Sequence, residues 1–236
     1  MNKKNEALNQ IFDRCSDNYR EIHTENIGKI SGADSYYFSE YKIKELRERY
    51  QESPDMWLDL GCGDGLSAQF IRTYFPDTKY YGLDISNNSI EKAKSRGLTG
   101  AEFLVYDGSH IPFGDNTFDV VFMACVMHHI IPEQRNDILN EIKRILKDNG
   151  KLVIFEHNPY NPITRKIVND CIFDNDAILV NQKSLKNSLK NIGYKNIKRR
   201  YTIFFPRKKV FGWLLPLEKH LSWCMFGGQY YYVAEK

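Results

Sequence analysis

The sequence MWLDLGCGDGLSAQFI, residues 56–71, carries the strongest structural signal in the chain. It begins as an apolar strand, continues through the glycine-rich turn GCGDG, and ends in the first residues of a helix. Glycines at positions 61, 63 and 65 let the backbone turn sharply and approach a ligand closely, with N–H groups directed outward at the start of the helix. The stretch therefore predicts a strand–turn–helix unit that binds a nucleotide-type ligand.

An acidic residue follows this unit at the distance that a nucleotide ligand requires. Asp84 lies 19 residues after Gly65, near the end of a second apolar run, YYGLDIS. At the tip of the second strand its carboxylate is placed to accept hydrogen bonds from ribose hydroxyls. Nicotinamide enzymes carry the spacing G-x-G-x-x-G, whereas this chain has D-x-G-x-G-x-G. A nicotinamide oxidoreductase is therefore the least favoured interpretation.

Residues 58–65 resemble the first motif of the class I, Rossmann-like methyltransferases that depend on S-adenosyl-L-methionine (SAM), V/L-L-D-L-G-C-G-x-G. The resemblance covers roughly residues 55–155. It implies SAM as the cofactor, S-adenosyl-L-homocysteine as its product, and in-line methyl transfer to an oxygen, nitrogen or carbon atom of an acceptor.

The resemblance also implies a set of cofactor-binding residues at the ends of the first four strands. In this family the glycine turn lies against the methionine and ribose groups, and the acid after strand two binds the ribose. A polar residue after strand three contacts the adenine, and the end of strand four lies beside the methionine group. The expected residues are Asp59, Gly61, Cys62, Gly63, Asp84, Ile85, Asp107, Gly108, Ala124 and Cys125, with Tyr19 from the N-terminal arm.

Two histidines are the expected catalytic residues. His129 lies in VMHHI, a common pattern after strand four of the family, and His157 ends strand five. A histidine with an ordinary pKa near 6.5 suits the removal of a proton from an acceptor hydroxyl. Adjacent side chains point in different directions, so His128 and His129 make a poor pair of metal ligands, and no metal site is predicted. The expected acceptor-binding residues are Tyr37, Arg165 and Trp213.

The order of patterns along the chain predicts an α/β fold. Strands and helices alternate through the middle of the chain, which favours a parallel sheet with helices on both faces. The expected fold class is Rossmann-like and doubly wound, with a mostly parallel seven-stranded sheet and an antiparallel last strand. We expect an N-terminal helical arm, residues 1–50, and a methyltransferase domain, residues 51–236. Insertions after strands five and six, residues 158–182 and 206–228, are expected to form an acceptor-binding cap together with the arm.

Composition limits the class of partner. The 236 residues carry a net charge of +3, without the basic excess of a dedicated nucleic-acid binder. Five scattered cysteines fit the reduced thiols of a cytosolic protein better than a disulfide framework. The chain has neither an apolar signal region near its start nor a run of about 18 apolar residues that would span a membrane. These features predict a cytoplasmic enzyme.

The preferred acceptor is a small molecule that is methylated on O, N or C. It is expected to be a hydrophobic, lipid-like or glycosylated metabolite. Two alternatives remain. One is an RNA or protein methyltransferase, which the basic runs KRR at 198–200 and RKK at 207–209 suggest. The other is a non-catalytic SAM-binding protein. The basic, aromatic stretch at 208–226 is of a kind that can lie on a membrane. Because Pro216 interrupts it, the favoured interpretation is that its leucine and tryptophan side chains cover the core and its lysines are solvated. No oligomeric state is predicted.

Overall fold

The computed structural model describes Gly28 and residues 32–49, 53–174 and 177–236. The α-helices of these ranges are α1 Ser35–Arg47, α2 Leu66–Tyr74, α3 Asn87–Ser95, α4 Arg135–Ile145, α5 Pro162–Asn169 and α6 Gln182–Ile192. The strands are β1 Met56–Leu60, β2 Lys79–Asp84, β3 Ala101–Val105, β4 Phe118–Ala124, β5 Leu146–His157, β6 Lys195–Thr202 and β7 Gln229–Glu235. Short 3-10 helices cover Met127–His129, Pro132–Gln134, Ile172–Asp174 and Lys209–His220.

The strands form one sheet in the order β3-β2-β1-β4-β5-β7-β6. β1 to β5 pair in parallel, and β7 runs antiparallel to both β5 and β6. The strand order reverses between β1 and β4, and ligands of such sheets bind at the carboxyl ends of the strands at this point. The predicted fold class, mostly parallel with an antiparallel last strand, is confirmed.

β1 is buried along most of its length because helices cover both faces of the sheet. Leu58 and Leu60 pack into the core on one face, and Trp57 packs into the core on the other. The Trp57 ring lies 5.3 Å from the ring of Phe75 and 5.9 Å from that of Phe122, centroid to centroid. This packing holds the glycine turn that follows β1 at the carboxyl edge of the sheet.

The turn after β1 requires glycine at two positions. Gly61 has a φ of +80°, and a Cβ there would lie 2.4 Å from Cγ2 of Val126. Gly65, the residue before α2, has a φ of +72°, and its Cβ would lie 2.9 Å from the ring of Phe103. Both a left-handed backbone and a lack of space therefore exclude a larger side chain.

The start of β5 is irregular. The sequence DNG at 148–150 is typical of a turn, but β5 begins at Leu146 and continues through these residues. Its register against β4 shifts between Phe118, which pairs with Leu146, and Val120, which pairs with Lys151. Asn149 has a φ of +63°, a conformation that asparagine tolerates better than most residues. The turn-forming residues thus lie within an irregular part of the strand.

The connection between β6 and β7 turns its large apolar side chains outward. The expectation that its tryptophan side chains cover the core is wrong, since Trp213 is 74% exposed and Trp223 is 77% exposed. Val210 and Phe226 are also exposed, at 69% and 70%. Glu218 anchors this connection instead, since its buried carboxylate pairs with Arg207 at 2.7 Å and accepts the N–H groups of Phe204 and Phe205. In this connection the Glu218 side chain is buried, whereas the aromatic side chains of Trp213, Trp223 and Phe226 are exposed.

Helix α1 lies against the last strands of the chain. The Thr202 hydroxyl donates to the Tyr41 oxygen at 2.6 Å, and the Tyr231 hydroxyl donates to Glu45 at 2.7 Å. The Arg207 guanidinium also lies 5.2 Å from the centroid of the Tyr41 ring. The part of the predicted arm that the structure describes is therefore held against β6 and β7, the last two strands of the chain.

Asn158, directly after β5, ties three segments together. Its fully buried amide nitrogen donates to the carbonyl oxygens of Met225, at 2.8 Å, and Gly227, at 2.7 Å. Its amide oxygen accepts from the backbone of Tyr160 at 3.1 Å and from the side chain of Gln182 at 2.8 Å. One side chain thereby joins the loop after β5, the start of α6 and the connection that leads into β7.

Within the described ranges, every helix is too short or too polar to cross a membrane. In the same ranges four cysteines carry free thiols, namely Cys62, Cys125, Cys171 and Cys224.

Candidate functional site

A cavity of about 310 Å³ lies at the carboxyl edge of the sheet, beside the glycine turn. Its volume is in the range of small-molecule sites. Most residues predicted from the sequence line it, namely Asp59, Gly61, Cys62, Gly63, Asp84, Ile85, Gly108, Ala124, Cys125, His129 and His157. Tyr19 lies outside the described residues.

The glycine turn and Asp84 form one wall of the cavity. The Gly63 N–H donates to the Asp84 carboxylate at 2.8 Å, and the Ser86 N–H donates to it at 2.9 Å. A Cβ built on Gly63 would have no heavy atom of the described residues within 4 Å. The turn therefore leaves space in front of a carboxylate whose orientation two backbone groups fix.

Asp59 lies behind this wall and is 2% exposed. It accepts a hydrogen bond of 2.8 Å from the Tyr80 hydroxyl. Burial raises the pKa of the Asp59 carboxyl to about 7, and the nearby Asp84 charge adds to the increase. A large share of the Asp59 side chains is therefore protonated near neutral pH.

We expect Asp59→Asn to remove a pH dependence of stability. An unfolded aspartate loses its proton near pH 4, whereas folded Asp59 keeps it to about pH 7. Between these values the folded state binds more protons, so stability falls as the pH rises. From pH 5 to pH 7 the wild type should lose about 2–3 kcal/mol relative to Asp59→Asn, which urea unfolding at both pH values measures. Parallel pH profiles of the two proteins would contradict this expectation.

Lys42 is a cavity residue that the sequence analysis missed. It is 8% exposed and lines the cavity with Ser35, Phe38 and Ser39 of the same helix face. Burial raises the pKa of the Cys125 thiol, and the Lys42 charge opposes that increase. The spacing 35, 38, 39, 42 is a helical stripe, but its polar members hid it from a search for apolar periodicity.

Three histidines and two carboxylates form a buried cluster beside the cavity. His128 Nδ1 lies 2.7 Å from Glu156, and His128 Nε2 lies 3.3 Å from Asp174. His129 Nε2 lies 3.6 Å from the same Asp174 oxygen, and the His157 ring lies 5.2 Å from the His128 ring, centroid to centroid. The expectation that the adjacent histidines point apart is wrong, because the 3-10 turn places the two rings 4.2 Å apart.

The three histidines of this cluster differ in the direction of their pKa shifts. Burial alone would lower the pKa of His128, but the charge of Glu156 and the hydrogen bond to Asp174 raise it above its ordinary value. Burial and the neighbouring His128 charge lower the pKa of His129 to about 3, and they lower that of His157 to about 4. His129 and His157, which both line the cavity, are therefore neutral at pH 7.

Asp107 organises a loop, and its neighbours reach the cavity. Its carboxylate accepts from the backbone of Ser109 at 2.7 Å and of His110 at 2.9 Å. Backbone hydrogen bonds, with that of His110 the largest cause, lower the pKa of this carboxyl. Tyr106 and Gly108 on either side line the cavity. The expected adenine-binding role of Asp107 stays a prediction.

The three predicted acceptor residues lie outside the set of described residues that line the cavity. Tyr37 packs beneath the Arg207 guanidinium, and Trp213 is exposed. Arg165 is exposed on α5, whose Thr164 and Ile167 face the cavity instead. Sequence analysis placed the α5 segment at the site but could not choose which face of the helix points inward.

The sequence and the fold both match known proteins. Residues 58–154 match the family model described as a methyltransferase domain. A demethylmenaquinone methyltransferase from Thermotoga maritima is 36% identical over 152 residues, which are 64% of this chain and 62% of that protein. A fatty-acid O-methyltransferase from Mycolicibacterium smegmatis is 32% identical over 104 residues, which are 43% of this chain and 37% of that protein. The chain thus spans less than two thirds of either relative.

A solved structure supports the same assignment at the level of the fold. Phosphoethanolamine N-methyltransferase 2 from Haemonchus contortus, in complex with S-adenosyl-L-methionine, superposes with a TM-score of 0.68 at 18% identity. The match covers 97% of this chain and 60% of that one. With the glycine turn, Asp84 and the strand order described above, these matches show that the chain has the fold of the class I, Rossmann-like methyltransferases and that its residues 58–154 are similar to their methyltransferase domain.

Proposed function

We propose that this protein transfers the methyl group of SAM to a small, largely apolar acceptor. The observation that carries the proposal is a single cavity whose walls come from two sources. One wall is the glycine turn with Asp84. The other is built from α1, α5 and the connection between β6 and β7, through Phe38, Ile167 and Ile203. Cofactor and acceptor would meet between these walls, and the non-core segments would act as the acceptor cap.

The residues of the first wall fit an adenosyl group. The open space at Gly63 admits the ribose, and the fixed Asp84 carboxylate is oriented to accept its hydroxyl groups. Ile85, next in the chain, lines the cavity where the adenine would lie. Lys42 supplies a buried positive charge, which suits the carboxylate of the methionine group.

The expected chemistry asks the protein mainly for positioning. Bound SAM supplies an electrophilic methyl group on a sulfonium, and the acceptor atom must lie in line with the bond that breaks. The segments around the cavity exclude water from this approach. His129 and His157 line the cavity in neutral form, so either ring can accept a proton from an acceptor hydroxyl, although their lowered pKa values make them weak bases.

Two observations favour a small acceptor over RNA or protein. Arg207, the first residue of the basic RKK run, has a side chain that is 5% exposed and is paired with Glu218, so it does not present its charge to a phosphate. The apolar side chains of Phe38, Ile167 and Ile203 line the cavity and favour an apolar ligand. An apolar acceptor also agrees with the demethylmenaquinone and fatty-acid enzymes that the chain resembles.

The function is tested by incubating the protein with SAM and a panel of acceptors, and measuring S-adenosyl-L-homocysteine by mass spectrometry. The panel contains alkylated phenols and quinols, long-chain fatty acids, a short RNA and a basic peptide. Turnover confined to the apolar small molecules is the expected result. Turnover with RNA or peptide would overturn the acceptor class. Binding of SAM without turnover of any acceptor would favour a non-catalytic SAM-binding protein.

Lys42→Met should weaken binding of S-adenosyl-L-homocysteine by about 10–100-fold, because a charge-assisted hydrogen bond contributes about 1.5–3 kcal/mol. The affinity for 5′-methylthioadenosine, which lacks the amino-acid carboxylate, should stay unchanged. Calorimetric titration with both ligands measures the difference. Lys44→Met, an exposed lysine of the same helix, is the control. An equal loss for both ligands would show that Lys42 does not bind the carboxylate.

A further inference from the structure

We propose that the protein binds a divalent transition-metal ion of the zinc class at the acceptor side of the cavity. The ligands would be Nε2 of His128, Nε2 of His129 and the carboxylate of Asp174. These residues come from the 3-10 turn after β4 and from the insertion between α5 and α6. The binding of the ion does not depend on the proposed methyl transfer.

The spacing of the three ligand atoms fits a tetrahedral ion. Zinc binds nitrogen and oxygen at about 2.0–2.2 Å, so two ligands of a tetrahedral site lie about 3.3–3.6 Å apart. The Asp174 oxygen lies 3.3 Å from Nε2 of His128 and 3.6 Å from Nε2 of His129. The three residues each offer a ligand atom, and these atoms lie within 4.8 Å of one another. Small side-chain shifts would therefore complete the site.

A second carboxylate orients His128 for coordination. Glu156, with its side chain fully buried, lies 2.7 Å from Nδ1 of His128. Such a carboxylate behind a histidine is the usual support of a metal ligand, because it fixes the ring and leaves Nε2 for the ion. Nε2 of His128 is itself buried and is directed at the carboxylate of Asp174, the third ligand, at 3.3 Å.

The charge of the cluster also suits a cation. Glu156 and Asp174 place two carboxylates around imidazole rings in a site that is almost closed to solvent, with side-chain exposures of 0% and 12%. Buried like charges are costly unless a cation lies between them. A divalent ion between the rings and Asp174 would offset this negative charge.

Three protein ligands leave one position of a tetrahedral ion open, as in catalytic zinc sites. His129 is both a proposed ligand and a cavity residue, so the open position would face the space where the acceptor is expected. The ion would there bind a hydroxyl or carbonyl oxygen of the acceptor. This arrangement selects oxygen-bearing acceptors, a narrower class than apolar small molecules.

Equilibrium dialysis of the full chain against Zn²⁺, without SAM or acceptor, tests the proposal. We expect one tightly bound zinc per chain. Asp174→Asn, which keeps the shape and removes the anionic ligand, should weaken binding by at least about 100-fold. Glu156→Gln should weaken it by about 10–100-fold. His110→Ala removes an exposed histidine outside the cluster and should leave binding unchanged. Mg²⁺, which prefers oxygen ligands, should not compete.

Two results would overturn the site. One is the absence of a stoichiometric zinc in the wild type, and the other is equal zinc binding by wild type and a folded Asp174→Asn. Where circular dichroism shows that Asp174→Asn does not fold, the visible spectrum of the Co²⁺-loaded wild type replaces it. Intense bands of four-coordinate Co²⁺ support the proposal, and the weak bands of the octahedral ion overturn it. Neither measurement uses methyl transfer, so failure of the metal site and failure of the proposed function are distinguishable.

Discussion

Asp84→Ala should weaken the binding of S-adenosyl-L-methionine by at least about 100-fold, as measured by calorimetric titration. The expected site for the ribose is the Asp84 carboxylate, held in place by the N–H groups of Gly63 and Ser86. A hydrogen bond to a charged group contributes about 1.5–3 kcal/mol, and the two ribose hydroxyls can each donate one. Loss of both corresponds to at least about 2.7 kcal/mol, or two factors of ten in the dissociation constant.

Two further variants separate ligand binding from support of the turn. Asp84→Asn retains one amide oxygen that can accept from Gly63 and should bind SAM with intermediate affinity. Asp77→Ala removes an exposed aspartate from the loop before β2 and should not change the affinity. Binding by a folded Asp84→Ala within about threefold of the wild type would show that the cofactor lies elsewhere.

Asn158→Ala should lower the free energy of unfolding by about 3–5 kcal/mol, as measured by urea unfolding followed by circular dichroism. The variant leaves the carbonyl oxygens of Met225 and Gly227 and the amide of Gln182 without their partner. Each buried polar group that loses its hydrogen bond costs about 1–3 kcal/mol. The effect is large for a polar residue because all of these groups lie around one buried site.

Asn140→Ala is the matched control, since Asn140 is exposed on α4 and its replacement should change the free energy by less than about 0.5 kcal/mol. A loss below about 1 kcal/mol in Asn158→Ala would mean that water or a local rearrangement satisfies the abandoned groups. The loop after β5 and the connection before β7 would then be held by other contacts, such as the hydrogen bond from Thr164 to Gly228.

The side of the cavity formed by the glycine turn and Asp84 could be predicted from the sequence because its residues lie on regular elements in a fixed order. The turn at Gly61 and Gly65 admits only glycine, and Asp84 ends the neighbouring parallel strand, so their spacing along the chain encodes their position in space. The same regularity predicted the seven strands and the antiparallel last strand. Sterics and strand pairing determine this half of the site.

The opposite side of the cavity was harder to predict from the sequence because it depends on long-range packing. Asp174 lies 45 residues after His129, in a turn that no periodic pattern marks, so its contact with both histidines could not be predicted. Lys42 was missed because its neighbours on the helical stripe include serines. Arg165 was chosen by charge, whereas the orientation of α5 brings Thr164 to the cavity.

The contacts of α1 with the last strands join residues that are synthesised at very different times. The ribosome releases α1 before any strand, but its hydrogen-bonding partners Thr202 and Tyr231 come near the end of the chain. At about 5–20 residues per second, roughly 10–40 s separate the synthesis of α1 from that of Tyr231. During this time α1 can already pack on α2, where the Tyr74 hydroxyl donates to Glu40. Gly228 and Gln229, which also line the cavity, are synthesised near the end, so the wall of the cavity is complete only when translation has passed them.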